Sequence, residues 1–378
     1  MGMIGGSLDA FIGAVHRKAA ALDGQIELVC GAFSSNPEKS RETGKSLFLS
    51  EDRIYGNYEE MITKEAALPA DVRMDFVAIV TPNHLHFAPA KLALESGFHV
   101  MIDKPLAFTS DEARELETLV ASTGLKFGVT YTYTGYPMIK HARHVVKTGQ
   151  LGEIRKVYVE YPQGWLSNKL EDSGQKQASW RTDPKRSGMS GAFGDIGTHA
   201  ENMTEFVTGL ELTEISANLH KVVEGRLIDD DGVALLKFNN GATGVLTATQ
   251  IASGEENDLK IRVYGEKGSL EWCHNDPNTL LLKWLDKPKE VLRAGADKDL
   301  CPAALKNSRL PSGHPEGYLE AFANLYKNFA HQVDAFTGGV ALDEDLTDVP
   351  SVGDGLRGML FIEKAVESSE KGGEWIKF

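Results

Sequence analysis

The sequence predicts an α/β protein of two domains, a parallel sheet of βαβ units over residues 1–131 and an α/β domain built on an antiparallel sheet over residues 132–378. Three observations predict it. Up to about residue 130, short Val- and Ile-rich runs alternate with longer segments of helical period, the pattern of βαβ units. After Gly135-Tyr136-Pro137 the texture changes to long segments alternating apolar with polar residues, as in antiparallel sheets. With 378 residues, the chain also exceeds the roughly 250 at which single hydrophobic cores stop growing.

Within the first domain, Met1–Ile4, Glu27–Ala32, Phe76–Val80, His99–Ile102 and Phe127–Thr130 read as strands. Phe11–Leu22, Tyr58–Ala67, His84–Glu95 and Ser110–Ala121 read as the helices between them. Asn83 is expected to cap the helix that follows it, and Thr109 or Ser110 to cap the next, where Asp111 and Glu112 suit the positive helix end. Met1–Ile4 is short for a central strand of about five or six residues, so the numbering is expected to begin inside it.

In the second domain a helix is expected from Pro137 to about Lys147. Strands follow at Ile154–Tyr161, Val233–Phe238, Gly244–Ile251 and Leu259–Tyr264, with Asn239-Asn240-Gly241 and Gly265-Glu266-Lys267-Gly268 as turns. Two long helices close the chain, Gly317–Phe336 and Val352–Ser369, the second started by Pro350 and Ser351. The segment Asp286–Leu310 reads as loop.

Asp+Glu number 54 against Lys+Arg 40, a net charge of −14. No basic stretch offers the positive footprint that nucleic acid or an anionic lipid surface requires, so a small-molecule partner is expected, with no nucleic acid and no membrane. Cys30, Cys273 and Cys301 form no C-x-x-C pair, which argues against a disulfide framework and a structural zinc. Without a signal-like N-terminus or an apolar run of about 18 residues, a reducing, cytoplasmic setting is expected.

Five motifs carry the chemistry. The first turn, from Gly2 through Gly5, Gly6, Ser7, Leu8 and Asp9 to Phe11, Ile12 and Gly13, has glycines between a first strand and a first helix. That is where backbone amides approach a pyrophosphate. A strict G-x-G-x-x-G is absent, Asp9 adds an adverse charge, and a plain strand-to-helix loop is the competing reading. The second strand ends Cys30-Gly31-Ala32-Phe33-Ser34-Ser35-Asn36 without the acid that usually holds a ribose 2′-hydroxyl. Ser34, Ser35 and Lys39 or Arg41 suit a 2′-phosphate, which tilts the reading from NAD towards NADP, beside a serine-capped helix start. Thr81-Pro82-Asn83-His84-Leu85-His86 follows a fully apolar strand and so lies at the carboxyl edge of the sheet. Residues two apart share no helix face, so capping and cofactor contact are preferred to metal ligation by His84 and His86.

Asp103-Lys104-Pro105 places a lysine at the same edge, either as a solvated loop charge or as a donor to a substrate oxygen that gains charge as hydride leaves. In Gly194-Asp195-Ile196-Gly197-Thr198-His199, Asp195 and His199 are four apart and share one helix face. They read either as an acid/base pair or as a capping Asp with a core His. Tyr133, Tyr136, Gln163, Trp165, Trp180, Arg181 and His314 sit at loops and element ends. Aromatic and planar polar groups there suit a sugar ring, although packing explains them as readily.

Taken together and in this order, Thr81-Pro82-Asn83-His84, Asp103-Lys104-Pro105 and Gly194-Asp195-Ile196-Gly197-Thr198-His199 resemble the Gfo/Idh/MocA family of nicotinamide-dependent sugar and cyclitol oxidoreductases. The resemblance extends over nearly the whole chain, to the closing helix and Trp375. It implies an N-terminal Rossmann domain and a C-terminal α/β domain with a large, mostly antiparallel open sheet that often builds homodimers or homotetramers. It also implies that Lys104, Asp195 and His199 line the substrate site. Gly5, Gly6, Phe11, Ile12, Ser34, Ser35, Lys39, Thr81, Pro82, Asn83, His86, Asp103 and Lys104 are expected to meet NAD or NADP. Tyr133, Tyr136, Gln163, Trp165, Trp180, Arg181 and Asn202 are expected to meet the substrate, and no metal is expected. The first turn is less regular than the family's, Asp103 stands where Glu is commoner, and Asn202 stands where many members carry Asp.

The activity so implied is reversible oxidation of a secondary hydroxyl on a sugar, sugar derivative or inositol. His199 takes the proton, Lys104 stabilises the reacting oxygen and Asp195 anchors a neighbouring hydroxyl. Two rival readings are a glycosidase that oxidises its sugar transiently with retained NAD, and a non-catalytic dinucleotide sensor. The second has no need of Lys104, Asp195 and His199 together.

Overall fold

A computed structural model describes all 378 residues and divides the chain into two compact units. One comprises Met1–Gly135 with Tyr318–Leu356, the other Tyr136–Gly317 with Arg357–Phe378.

The first unit holds a parallel sheet of β1 (Gly2–Gly5), β2 (Cys30–Ala32), β3 (Phe76–Val80), β4 (His99–Ile102) and β5 (Phe127–Val129), in the order β2-β1-β3-β4-β5. All five residues of β3 are buried, as expected of a parallel strand covered on both faces. Sequence order reverses between β1 and β3, and ligands of open α/β sheets bind outside the strands' carboxyl ends at such a switch point. Gly5 and Thr81 flank it.

Helices α1 (Phe11–Ala21), α2 (Pro37–Ser46), α3 (Tyr58–Ala66), α4 (Phe87–Glu95) and α5 (Ser110–Thr123) connect and follow these strands. Of the two expected caps it is Thr109 that starts α5, in a full capping box with Glu112, and Gly124 ends it at φ 70°. Asn83 is not a cap: it opens a 3-10 turn, Asn83–Leu85, ahead of α4. Helix α2 was expected only as a serine-capped start and not as a full helix, because its buried side consists of Ser40, Thr43 and Gly44, which carry no hydrophobic period. Its start is Asn36, whose side chain accepts from the amides of Glu38 and Lys39, with Pro37 at the first helical position. Neither serine is the cap.

A single break at 131/132 places everything after it in the second domain, whereas the helix Tyr318–Thr337 groups with the first unit. Its apolar face, Phe322, Leu325, Tyr326, Phe329 and Val333, joins Met3, Phe33, Phe76 and Val80 in one buried cluster. Burial of so many aromatic and aliphatic side chains, each worth roughly 1.5–3 kcal/mol, returns this distant segment to the N-terminal sheet. The buried His16 ring packs edge-on to Phe322 of this cluster, its Nδ1 2.7 Å from the Tyr326 hydroxyl.

The second unit holds a nine-stranded sheet: β6 (Ile154–Pro162), β7 (Leu212–His220), β8 (Asp231–Phe238), β9 (Thr243–Thr249), β10 (Lys260–Gly265), β11 (Gly268–Cys273), β12 (Thr279–Trp284), β13 (Glu290–Arg293) and β14 (Ile376–Lys377). Their order is β13-β12-β11-β10-β6-β9-β8-β7-β14. Only the β6–β9 pair is parallel, so the sheet is mixed and mostly antiparallel. The turn at Asn239–Gly241 is present, with Gly241 at φ 87°. β11 follows the turn expected at Gly265–Gly268, whereas β7, β12, β13 and β14 were not singled out in the sequence. The segment read as loop, 286–310, contains β13 and the helix Pro302–Lys306. Helices Pro137–Lys147 and Thr198–Thr208 pack on one face of this sheet, burying Met138, Ile139, Ala200 and Met203. No helix is long and apolar enough to cross a membrane.

Candidate functional site

In the first unit three loops meet the carboxyl edge of the parallel sheet. The first is the turn after β1. Gly5 and Gly6 adopt φ 83° and 73°, where an L side chain is strained. A Cβ on Gly13 would lie 2.3 Å from the Gly6 Cα, so turn and helix touch backbone to backbone. That cradle fits a pyrophosphate approached by main-chain amides at a helix N-terminus, even without the strict motif. Phe11 is 69% exposed, whereas Ile12 packs against the core.

The adverse charge of Asp9 is compensated locally: Ser7 donates to Oδ1 at 2.5 Å, and Lys39 Nζ lies 3.2 Å from Oδ2. Lys39, read as a partner for a 2′-phosphate, is therefore engaged elsewhere. Ser34 accepts from the Asn36 amide at 3.1 Å, and the first amides of α2 are taken by Asn36. Of the residues that tilted the sequence towards NADP, Lys39 and Ser34 are thus engaged within the protein, whereas Ser35 and Arg41 stand exposed.

The second and third loops are tied together by His86. Its fully buried ring places Nε2 2.8 Å from the Thr81 carbonyl and Nδ1 2.8 Å from the Pro105 carbonyl. Burial pushes its pKa below the usual range, against the pull of Asp103 and the facing carbonyls. Asp103 Oδ1 accepts from the Lys104 amide and from the Thr130 hydroxyl, each at 2.9 Å, and its own amide donates to Ile79. The loop that carries Lys104 is thereby fixed to β3, β5 and the Thr81 loop, with a cis peptide before Pro105. Pro82 precedes the 3-10 turn, Asn83 is buried within it, and His84 is exposed while His86 is buried. No group of His, Cys, Asp or Glu gathers to hold a metal.

In the second unit Asp195 does not sit on an α-helix. Phe193–Gly197 forms a π-helical turn that leads into the helix Thr198–Thr208 carrying His199 and Asn202. Such turns are rare and occur frequently at functional sites. The buried Asp229 carboxylate holds it by accepting from the Ser190 hydroxyl and from the amides of Gly191 and Phe193, at 2.8, 2.8 and 2.9 Å. Burial pushes the Asp229 pKa up, and those same bonds pull it down.

Asp195 is no cap either. Its Oδ2 accepts from Arg181 Nε at 3.2 Å and from Gln250 Nε2 at 2.9 Å. Arg181 also covers the Trp180 ring, 4.4 Å from its centroid, and bonds to Gln177. His199 is buried, its ring edge-on to Tyr161. Asn202 is buried, with its side-chain oxygen Oδ1 left without a hydrogen-bond partner, which suits a hydroxylated ligand or a water.

Gln163 and Trp165 belong to the same polar network: the indole donates to Gln163 Oε1 at 3.0 Å, and Gln163 Nε2 donates to Asn257 Oδ1 at 2.6 Å. Asn257 continues it to His274, whose Nε2 meets the Tyr136 hydroxyl at 3.0 Å. Tyr133 lies in the first unit, edge-on to Tyr318, and His314 is an exposed loop residue. Gln250, Asn257, His274 and Arg226 were missed. Arg226, fully buried, fixes the segment after β6 through Glu171, Asp230 and the Leu166 carbonyl, at 3.0, 3.1 and 2.7 Å. No spacing signal marks any of these four.

Known proteins share this architecture. Residues 1–131 match the model of an oxidoreductase family with an NAD-binding Rossmann fold, and residues 139–271 match the Gfo/Idh/MocA C-terminal domain. The uncharacterized oxidoreductase YfiI of Bacillus subtilis is 33% identical over the whole chain and 96% of its own length. An oxidoreductase from Sinorhizobium meliloti is 44% identical with a TM-score of 0.88, covering 100% of this chain and 98% of that one. An inositol dehydrogenase homologue from Azotobacter vinelandii, solved with NADH and myo-inositol, is 34% identical with a TM-score of 0.91, covering 100% and 97%.

Proposed function

The chain belongs to the Gfo/Idh/MocA family of NAD-dependent oxidoreductases, and from that premise we propose that it oxidises a secondary hydroxyl of a cyclitol such as an inositol, or of a sugar of similar shape, reversibly and with NAD. The observation that carries the substrate class is likeness over the full chain to the inositol dehydrogenase homologue. The buried, polar surroundings of Asp195, His199 and Asn202 support it, because a polyol needs many oriented hydrogen-bond partners.

NAD+, when bound, supplies the hydride acceptor. The residues proposed to hold it are the Gly5-Gly6 turn, Thr81-Pro82-Asn83 and the Asp103-Lys104 loop. His199 takes the hydroxyl proton as the carbinol hydrogen leaves as hydride. The Lys104 ammonium donates to the reacting oxygen and stabilises its developing charge. Asp195, kept in one orientation by Arg181 and Gln250, accepts from a neighbouring hydroxyl and so fixes which carbon reacts. Gln163, Trp165, Trp180 and Asn202 contribute the remaining contacts.

The proposal includes a homodimer or homotetramer. Tyr158, Val245 and Leu235 are neighbours across β6, β9 and β8 on one face, and Tyr158 and Leu235 are exposed large side chains. Light scattering tests it, and a monomer contradicts it.

The function is tested by mixing purified protein with NAD+ and single inositols, sugars or glycosides and following product and NADH together. Stoichiometric NADH supports a dehydrogenase. Release of an aglycone without NADH supports the transient-oxidation glycosidase instead.

A further inference from the structure

We propose that Gln250 is a positioning residue that presents an N–H to Asp195, and that Trp165 sets its direction through Gln163; the inference rests on the role given to Asp195 above. Gln250 is 2% exposed. It directly follows β9, with its amide on the Asp230 carbonyl at 2.9 Å and its carbonyl receiving the Leu166 amide at 3.0 Å. Its backbone is therefore held by the strand on one side and by the segment after β6 on the other.

The direction of its side-chain amide follows from the chemistry of its neighbours. An indole N–H only donates, so the Gln163 atom 3.0 Å from Trp165 Nε1 is the carbonyl oxygen. Gln163 Nε2 then points the other way, to Asn257 Oδ1, which also receives the Tyr161 hydroxyl at 2.7 Å. Gln250 therefore faces two acceptors, the Asp195 carboxylate at 2.9 Å and Gln163 Oε1 at 3.4 Å. Only its nitrogen end satisfies both. Arg181 supplies the second donor to the same oxygen, Oδ2, so Asp195 is oriented from two elements by a charged and a neutral donor.

A hydrogen bond to a charged group is worth roughly 1.5–3 kcal/mol, which corresponds to about a tenfold or larger change in rate. Four variants test the inference: Asp195→Asn; Gln250→Met, which keeps the volume and removes the donor; Gln250→Glu, which keeps the shape and turns the donor into an acceptor; and the double variant Asp195→Asn with Gln250→Met.

The expected result is an order of activity, wild type above Gln250→Met by about tenfold or more, and Gln250→Glu lower still. The NAD dissociation constant and melting temperature of Gln250→Met should stay near wild type. Gln250→Met should add little to the loss already present in Asp195→Asn, the non-additivity of a pair acting as one unit. A purely space-filling role predicts both Gln250→Met and Gln250→Glu close to wild type, and that result overturns the inference. Asp195→Asn inactive while Gln250→Met equals wild type also overturns it, leaving the proposed function standing. Asp195→Asn fully active overturns both. If Gln250→Met fails to fold, the isosteric Gln250→Glu alone decides: near wild-type turnover is contradiction, and a large loss in a folded protein is support.

Discussion

Lys39 and Asp9 form an ion pair, 3.2 Å from Nζ to Oδ2, that joins the turn after β1 to the first turn of α2. A carboxylate in a phosphate-binding turn opposes its own ligand, and here the opposing charge is paired before any ligand arrives. Lys39→Ala should weaken NAD binding by about two- to fivefold, the size expected of an exposed pair. The deficit should shrink at about 1 M salt, where such charges are screened. Titration of protein fluorescence with NAD at two salt concentrations checks this.

Gly13→Ala places a methyl 2.3 Å from the Gly6 Cα. Backbone must move, so a loss of about 1–3 kcal/mol in stability is expected, together with weaker NAD binding because the amides of the turn shift. Thermal melts with and without NAD should show a lower melting temperature and a smaller increment from the cofactor.

The buried histidines set a direction for the pH dependence of stability. His16, His99 and His141 are each pushed down to about 4, chiefly by burial. The unfolded chain takes up these protons near 6.5 and the folded chain does not. The stability they contribute is therefore full above about 6.5 and lost as pH falls from there to about 4. Denaturant midpoints should fall steadily over that window, and His16→Phe should flatten the slope.

Asp229→Ala removes the acceptor of three buried donors, Ser190, Gly191 and Phe193. Unsatisfied buried donors cost about 1–3 kcal/mol each. A marked fall in melting temperature is expected, and turnover should drop even well below it, because the π-helical turn that carries Asp195 is displaced.

These devices differ in how far the sequence reveals them. Local chemistry is legible: Thr109 or Ser110 ahead of two acids reads as a helix start, Asn239-Asn240-Gly241 as a turn, and the apolar run Phe76–Val80 as a covered parallel strand. The order of the motifs at Thr81, Lys104 and Asp195 was enough to reach the family. Non-local partners are not legible. Asn36-Pro37 is a readable helix start, yet the helix it begins buries small polar residues and shows no period. Tyr318–Leu356 joins the first unit only because Phe322, Tyr326 and Phe329 fit a core formed some 240 residues earlier in the chain. Gln250 is one glutamine after a strand, and its meaning comes from Asp195, 55 residues away.

The most direct test of the central claim is the near-ultraviolet absorbance of NADH when the protein meets NAD+ with a panel of inositols and related sugars, for the wild type and Lys104→Ala. Growth of the band with at least one polyol is expected. In Lys104→Ala the rate should fall by about a hundredfold or more, the scale of removing one donor to a developing oxyanion, with NAD still bound. No band with any polyol from protein that binds NAD, or an equal rate in Lys104→Ala, would contradict it.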